Sequence, residues 1–288
     1  MKIKTAAKIN LGLDVTGKLE NGYHTIESVF QTVGLYDEIT VEPSDKITVS
    51  CELPQMFAKS DPIPCDERNI AYKAAAKFFE HTGITSGCNI HIRKGIPSQA
   101  GMGGGSTDAA AVMYCLNEMT GSGLKSSELS ALGKKLGADV PFFFAGGTVH
   151  VSGIGEILEP LADYSGKILV IAKGVQGVST AEAYARIDAL EAPQHPQVSE
   201  LVNSISDSPE TAYKYFGNLF EQAVQLEEVE KLKSAMFDMD ALKALMTGSG
   251  SAVFGLFDSR KAAEICAEKL RDANYYAQVC ETVSGSFI

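Results

Sequence analysis

The sequence has no run of basic residues longer than two, as at Lys134-Lys135, and its 25 lysines and arginines are outnumbered by 36 aspartates and glutamates, a formal charge of −11. The electrostatic footprint of a nucleic-acid-binding protein is therefore missing. Long apolar runs are missing too. The longest, residues 109–116, falls far short of the ~20 residues that a membrane-spanning helix requires. Met1-Lys2-Ile3-Lys4 leads into Thr5, Lys8 and Asn10 instead of the apolar stretch of a secretory signal. The six cysteines (Cys51, Cys65, Cys88, Cys115, Cys266, Cys280) form no C-x-x-C pair and no Cys/His cluster at metal-ligand spacing, so reduced, mostly buried thiols are expected. Together these absences predict a cytoplasmic protein with no nucleic-acid partner and no membrane association.

Glycine, in contrast, is concentrated. Of 27 glycines, 13 lie between residues 95 and 155, nearly half of them in a fifth of the 288-residue chain. A single core usually stops growing near ~250–300 residues, so this length fits two moderate domains. Alternation at Ile9, Leu11, Leu13 and Val15 predicts an opening strand, with Lys8 and Asn10 on its other face. After the turn Glu20-Asn21-Gly22, a meander of strands is expected over 25–33, 38–41 and 46–53. An amphipathic helix over 69–81, stopped by Gly83, precedes a strand over 89–92. A glycine-rich loop then opens an alanine-rich helix ending near Gly121, followed by a helix over 126–136 and a strand over 148–151. The second half predicts a strand at 168–172 and a helix opened by the capping box Ser179-Thr180-Ala181-Glu182. A loop or weak helix over 191–210 and a closing β-α-β (252–257, 260–273, 275–283) follow.

In Pro97-Ser98-Gln99-Ala100-Gly101-Met102-Gly103-Gly104-Gly105-Ser106-Thr107-Asp108, four glycines stand just before a helix N-terminus. Without Cβ atoms, successive N–H groups can turn inward, and the helix terminus adds about half a positive charge, so the loop suits a polyphosphate. The hydroxyls of Ser106 and Thr107 are candidates for phosphate oxygens or magnesium. A tight strand-to-helix turn that binds nothing is the alternative. The loop is not a Walker loop, since Gly105 and not lysine precedes Ser106, and Ser106 occupies the third glycine position of a dinucleotide fingerprint. H-R-D and D-F-G triplets are absent.

Three motifs in this order resemble the GHMP kinases, small-molecule kinases related to galactokinase, homoserine kinase and mevalonate kinase. They are Ala7-Lys8-Ile9-Asn10-Leu11, the glycine loop, and Thr247-Gly248-Ser249-Gly250-Ser251. The resemblance implies an α+β, two-domain fold: a ribosomal-S5-domain-2-like ATP-binding domain over residues 1–155, a ferredoxin-like α/β domain over 156–288, and an active site between them. Within the family, further matches point to the branch acting on a cytidine diphosphate derivative of methylerythritol, in isoprenoid precursor synthesis by the non-mevalonate route. They are Val15-Thr16-Gly17, Gly22-Tyr23-His24, Phe30-Gln31, Leu35-Tyr36-Asp37 and Gly137-Ala138-Asp139-Val140-Pro141-Phe142. Two departures stand out: Thr5-Ala6-Ala7-Lys8 lacks the family's proline, and Leu19-Glu20-Asn21 replaces a more usual Arg-Pro-Asp.

The resemblance implies an enzyme, a kinase using ATP and Mg2+ on an alcohol group, as monomer or homodimer. Phosphoryl transfer needs positioning, charge stabilisation and a base or positioner for the attacking hydroxyl. Asp139, flanked by apolar residues where an idle charge is costly, is the candidate base; capping of the preceding turn is the alternative. Lys8 is implied to stand beside it, and otherwise would be a solvent-facing strand lysine. Asn10 shares the face of Lys8 and can reach the same substrate cleft. Tyr23 and His24 are implied to frame a cytosine ring, with Thr180 and Tyr184 across from them, although helix packing would also explain Tyr184. Pro97, Gly101, Gly103, Gly104, Gly105, Ser106 and Thr107 are assigned to the ATP phosphates, Asn69, Ile70 and Lys94 to adenine. Gly248 and Ser249 would back a phosphate through backbone N–H groups, or form a plain turn. No metal ligand is assigned. Two other readings stay open: another GHMP kinase of mevalonate or homoserine type, and a nucleotide-binding module without catalysis.

Overall fold

The computed structural model describes residues 1–54 and 63–288. The first two strands, β1 (Lys2–Lys18) and β2 (His24–Ser44), form a long antiparallel hairpin. The segments expected at 25–33 and 38–41 are thus one 21-residue strand. Gly34 makes no turn; its missing side chain lets the carbonyl of Glu281 approach. β3 (Thr48–Glu52) is not part of a meander. It reaches β4 (Gly87–Arg93) through α1 (Ile70–Thr82) and pairs with it in parallel, while β4 runs antiparallel to β2. Then come α2 (Gly104–Thr120), α3 (Ser126–Lys134), α4 (Val140–Ala145), β5 (Thr148–Ser152) and β6 (Ile157–Pro160).

The second half contains β7 (Ile168–Lys173), α5 (Thr180–Asp188), α6 (Val198–Asp207), β8 (Gly217–Asn218), α7 (Phe220–Ala223), α8 (Glu227–Phe237), β9 (Lys243–Met246), β10 (Val253–Phe257), α9 (Arg260–Asp272) and β11 (Tyr276–Glu281). Its sheet runs β11-β7-β10-β9 with every neighbour antiparallel. In order of appearance that is 4-1-3-2, the ferredoxin-like arrangement. Segment 191–210 holds a defined helix. Val198, Leu201 and Ile205 of α6 are buried in one core with Ile9 and Leu11 of β1, and the prolines at 196 and 209 bracket the helix without interrupting it. At α5, Ser179 makes no side-chain capping bond, and Glu182 instead pairs with Arg186 at 2.6 Å.

The chain does not divide cleanly at residue 155. β6 joins the first sheet through β5, and β8 returns to pair in parallel with β1. The last residues also come back, Ala6 N donating to Ser286 O at 2.8 Å and Lys4 N to Ile288 O at 2.9 Å. The two sheets share an apolar core in which Ala7, Ile9, Leu11 and Val33 meet Leu169, Ile171, Leu245 and Phe254. The helical face of the first sheet buries the alanines of α1 and α2.

A register shift between Asn10 and Gly12 breaks the expected alternation of β1. Up to and within it, Ile9 and Leu11 belong to the core between the sheets; after it, Leu13 and Val15 belong to the helical core. Such a bulge re-aims side chains along one strand. Here it leaves Lys8, Asn10 and Leu13 all on the wall of one cleft. Among the cysteines, Cys88, Cys115, Cys266 and Cys280 are buried, Cys51 is half-buried and Cys65 exposed, and all are free.

Candidate active site

A cleft of about 580 Å³ runs between the two halves of the molecule. All three sequence motifs meet at its floor. Lys8 N donates to Met102 O at 3.0 Å, joining the opening strand to the glycine loop. Gly101 lies so close to the third motif that a Cβ there would stand 2.2 Å from the carbonyl oxygen of Thr247. Asn10 links the first motif to the third across 237 residues of sequence: its N–H donates to Thr247 Oγ1 at 3.0 Å. Its Oδ1 accepts from Gly248 N at 3.0 Å and from Thr247 Oγ1 at 3.2 Å.

Lys8 is the buried cation of this floor, its side chain 5% exposed. Nζ donates to Asn10 Oδ1 at 2.8 Å, lies 4.3 Å from the centre of the Phe30 ring and stands 3.8 Å from Asp139 Oδ2. Burial pulls the lysine's pKa below its ordinary value, and the Asp139 carboxylate pulls the other way. Asp139 stands at the N-cap of α4 and makes no side-chain capping bond to it. Nor is it enclosed in apolar surroundings, since its side chain is 33% exposed. Phe142 and Phe143 behind it are buried and fix α4: Phe142 meets Phe30 edge-on at 5.3 Å, and Phe143 lies where a Cβ on Gly103 would fall, 2.8 Å away. One aromatic cluster thereby sets the base of the lysine, the start of α4 and the glycine loop.

At the glycine loop, Gly103 occupies the N-cap of α2 with φ +71° and supplies no side-chain cap. The first N–H groups of a helix have no partner within it, so those of residues 104–106 are left to the cleft. Gly101, Gly103, Gly104, Gly105, Ser106 and Pro97 all line it, as do Asn69, Ile70, Lys94, Thr180, Tyr184, Gly248 and Ser249. Thr180 Oγ1 lies 3.2 Å from Ser249 Oγ, closing the cleft from the second half of the chain.

Several expected contacts are already taken up within the protein. Thr107 is fully buried, its hydroxyl donating to Ala6 O at 2.9 Å and bonded to Thr5 Oγ1, so it reaches no ligand. Asn10 uses both ends of its amide, Oδ1 accepting from Lys8 Nζ at 2.8 Å and Nδ2 donating one proton to Ser28 Oγ at 3.0 Å, and so positions Lys8 and the third motif. The N–H of Gly248 is spent on Asn10 and cannot back a phosphate. Asn69 caps α1, accepting from Ala71 N at 2.8 Å and donating to Pro64 O at 2.7 Å. Lys94 is buried between Asp37 and Asp108, 2.8 Å from Asp108 Oδ2. Burial alone would lower its pKa, but the two carboxylates outweigh that and raise it, while burial raises that of Asp108. Lys94 therefore gives the cleft no free positive charge.

The aromatic end also differs from expectation. Tyr23 is 62% exposed at the hairpin turn, and neither it nor His24 lines the cleft. His24 stacks directly on Tyr184, ring centres 4.5 Å apart and planes 16° from parallel, which leaves no gap for a third ring between them. Burial, followed by Asp139, pushes the Tyr184 hydroxyl up to about 12. Sequence reasoning assigned no role to Ser28, Asp108 or Asp188, whose partners lie on other segments of the chain. Phe30 was legible only as part of a motif, though its register opposite Asn10 places it beneath Lys8.

This arrangement, a lysine–carboxylate pair beside an uncapped glycine-rich helix start, belongs to a defined class. The family description "GHMP kinases N terminal domain" matches residues 69–147 and "GHMP kinases C terminal" matches residues 187–277. The chain belongs to the GHMP kinases. It is 40% identical over 275 residues to the 4-diphosphocytidyl-2-C-methyl-D-erythritol kinase of Clostridium kluyveri, covering 94% of this chain and 96% of that protein. The enzyme of that name from Clostridium tetani is 39% identical over 287 residues, covering 98% and 100%. A crystal structure of 4-(cytidine 5'-diphospho)-2C-methyl-D-erythritol kinase superposes with a TM-score of 0.80 at 31% identity, covering 99% of this chain and all of that one. Homoserine kinase from Cytophaga hutchinsonii shares the fold, with a TM-score of 0.75 at 20% identity over 100% of this chain and 97% of that one.

Proposed function

We propose that the protein is a small-molecule kinase that transfers the γ-phosphoryl group of ATP to the 2-hydroxyl of 4-diphosphocytidyl-2-C-methyl-D-erythritol, in the non-mevalonate route to isoprenoid precursors. The substrate assignment is supported by full-length relatives of that activity near 40% identity. The observation that carries the chemistry is Lys8 Nζ at 3.8 Å from Asp139 Oδ2 on the wall of the cleft that the glycine loop opens into. In this reading the enzyme works in the cytoplasm.

Asp139, partly exposed and free of a capping bond, accepts the proton of the attacking hydroxyl. Lys8, held by Asn10 and the Phe30 ring, stabilises the negative charge that develops on the reacting oxygens. Backbone N–H groups of residues 104–106 receive the ATP phosphates, and Ile70 with Pro97 flanks the nucleotide. Magnesium fits this wall. It needs only one or two protein oxygens when phosphates and water complete its shell, and the Ser106 hydroxyl is a donor of that class. When bound, it would neutralise charge on the phosphate oxygens.

A coupled ADP-release assay with the cytidyl substrate, mevalonate and homoserine tests the reading. Turnover of mevalonate or homoserine without the cytidyl substrate would remove the substrate assignment and leave the kinase. Asp139→Asn separates catalysis from mere binding: ATP affinity is retained and turnover falls by about 10²–10⁴-fold, as for loss of a positioned base. Unchanged ATP binding with no turnover in either form would mark a binding module.

A further inference from the structure

Thr180, Tyr184 and Asp188 stand at four-residue spacing on α5, in one row on the helix surface. The first two line the cleft and the third does not. Instead, the Asp188 carboxylate meets the tip of the β1–β2 hairpin. Lys18 and His24 face each other there as the last paired residues before the turn. Asp188 Oδ2 lies 2.5 Å from Lys18 Nζ, and Oδ1 lies 2.7 Å from His24 Nε2. Each carboxylate oxygen thus takes one partner. An ionised carboxylate only accepts, so His24 Nε2 carries the donated proton.

Apart from the Thr180–Ser249 hydroxyl bond, α5 has little else to hold it. Of its nine residues only Ala183 and Ile187 are buried, and its N-cap makes no side-chain bond. Tyr184 is set by two rings: His24, stacked at 4.5 Å, and Phe220, edge-on at 5.0 Å. The imidazole keeps its place on Tyr184 only while its polar edge is satisfied, because the His24 side chain is 9% exposed and an unpaired N–H there is costly. Asp188, one helical turn beyond Tyr184, is the group that satisfies it.

We propose that Asp188 is a positioning residue for the nucleoside end of the cleft: by binding Lys18 and His24 it pins the hairpin to α5 and fixes His24 behind Tyr184, the ring that lines the cleft where the cytidine of the substrate is seated. The inference rests on the cytidyl substrate proposed above. It assigns that ring's rigidity to a side chain that touches neither substrate nor nucleotide. Lys18 is half exposed and its share is small; the bond to the largely buried His24 carries most of the effect.

The test is steady-state kinetics of the full-length enzyme with each substrate varied in turn. For Asp188→Ala, KM for the cytidyl substrate rises about tenfold, while kcat and KM for ATP stay within about twofold. Asp188→Glu restores part of the loss, and Lys18→Met gives a rise of about threefold. Combining Lys18→Met with Asp188→Ala adds nothing further, since one latch is lost in both. An unchanged KM for the cytidyl substrate in Asp188→Ala overturns the inference, as does a proportional change in KM for ATP and in kcat. A wild-type enzyme that does not turn over the cytidyl substrate removes the substrate assignment and the seating of cytidine with it. Normal wild-type turnover with an unaffected Asp188→Ala removes the latch alone. If Asp188→Ala is unfolded by circular dichroism, Lys18→Met at its exposed site decides: a rise in KM confined to the cytidyl substrate supports the latch, and no rise overturns it.

Discussion

Replacing Lys8 by methionine separates what the buried lysine does for the reaction from what it does for the fold. Methionine fills a similar volume without a charge. Burial lowers the pKa of Lys8, so the folded protein holds the cation at a cost to stability that the Asp139 carboxylate only partly offsets. Asn10 Oδ1 is not orphaned by the change, for it keeps its bonds from Gly248 N and Thr247 Oγ1. Asp139 is one-third exposed and water takes over its solvation, so its loss of a partner costs less than ~1 kcal/mol. The sum is a protein of unchanged stability, or one more stable by about 1–2 kcal/mol, as when buried ionic groups give way to apolar ones. The sign with pH follows. A lysine whose folded pKa lies below its unfolded one makes the wild type gain stability as pH rises from the folded value toward the unfolded, and Lys8→Met lacks that slope. Turnover moves the opposite way from stability. Loss of a preorganised charge at the reacting oxygens lowers kcat by about 10²–10³-fold, with KM for ATP little changed. Urea unfolding and the ADP-release assay on the same preparations check both halves. A loss of more than about 3 kcal/mol in stability, or a kcat within about threefold of wild type, would contradict this role for Lys8.

Two further outcomes follow from the same geometry. Because the protonated form of Lys8 is the one that acts, kcat/KM falls as pH rises through its folded pKa; the alkaline limb lies below the ordinary lysine value of 10.5, and a profile flat up to that value would contradict the assignment. Gly101→Ala places a Cβ 2.2 Å from the Thr247 carbonyl oxygen at a φ of +71°, so thermal or urea unfolding shows a loss of about 2–4 kcal/mol. Gly22→Ala, at φ +85° with nothing within 4 Å, carries the backbone strain alone and loses about 1 kcal/mol; equal losses at both sites would show that the close packing of the motifs does not matter.

The parts of the site that were legible in the sequence are those set by local pattern. Alternation marked β1, and a glycine run before an alanine-rich stretch marked the start of α2. What could not be read was which polar groups are free. Thr107 looks available beside Ser106, yet its hydroxyl is bonded to Thr5 and Ala6 about a hundred residues away. Asn10 and Gly248 look like two independent donors to a ligand, and they bind each other. Lys94 reads as a cation until Asp37 and Asp108 are brought to it. Sequence spacing ranks residues by type and cannot count their long-range partners. The bulge in β1 is a second case. Alternation predicts Leu13 beside Ile9, whereas one register shift moves Leu13 to the other core and onto the cleft wall with Lys8.

The same accounting bears on how an acidic protein handles two polyanionic substrates. Among the described residues lining the cleft, Arg68 is paired with Asp66 and Lys94 with two carboxylates, so the positive field rests on Lys8 and on the uncapped start of α2. Lys8 is itself balanced by Asp139 at 3.8 Å. On the proposed assignment this balance changes during the reaction. When Asp139 takes the hydroxyl proton it becomes neutral, and the charge of Lys8 is no longer opposed. That happens as negative charge develops on the reacting oxygens, the moment at which a fixed cation lowers the barrier rather than merely tightening ground-state binding. A more exposed lysine would carry its charge at less cost to folding, but water would screen it before and during transfer alike. The burial that lowers the pKa of Lys8 is thus the condition for its effect on the transition state.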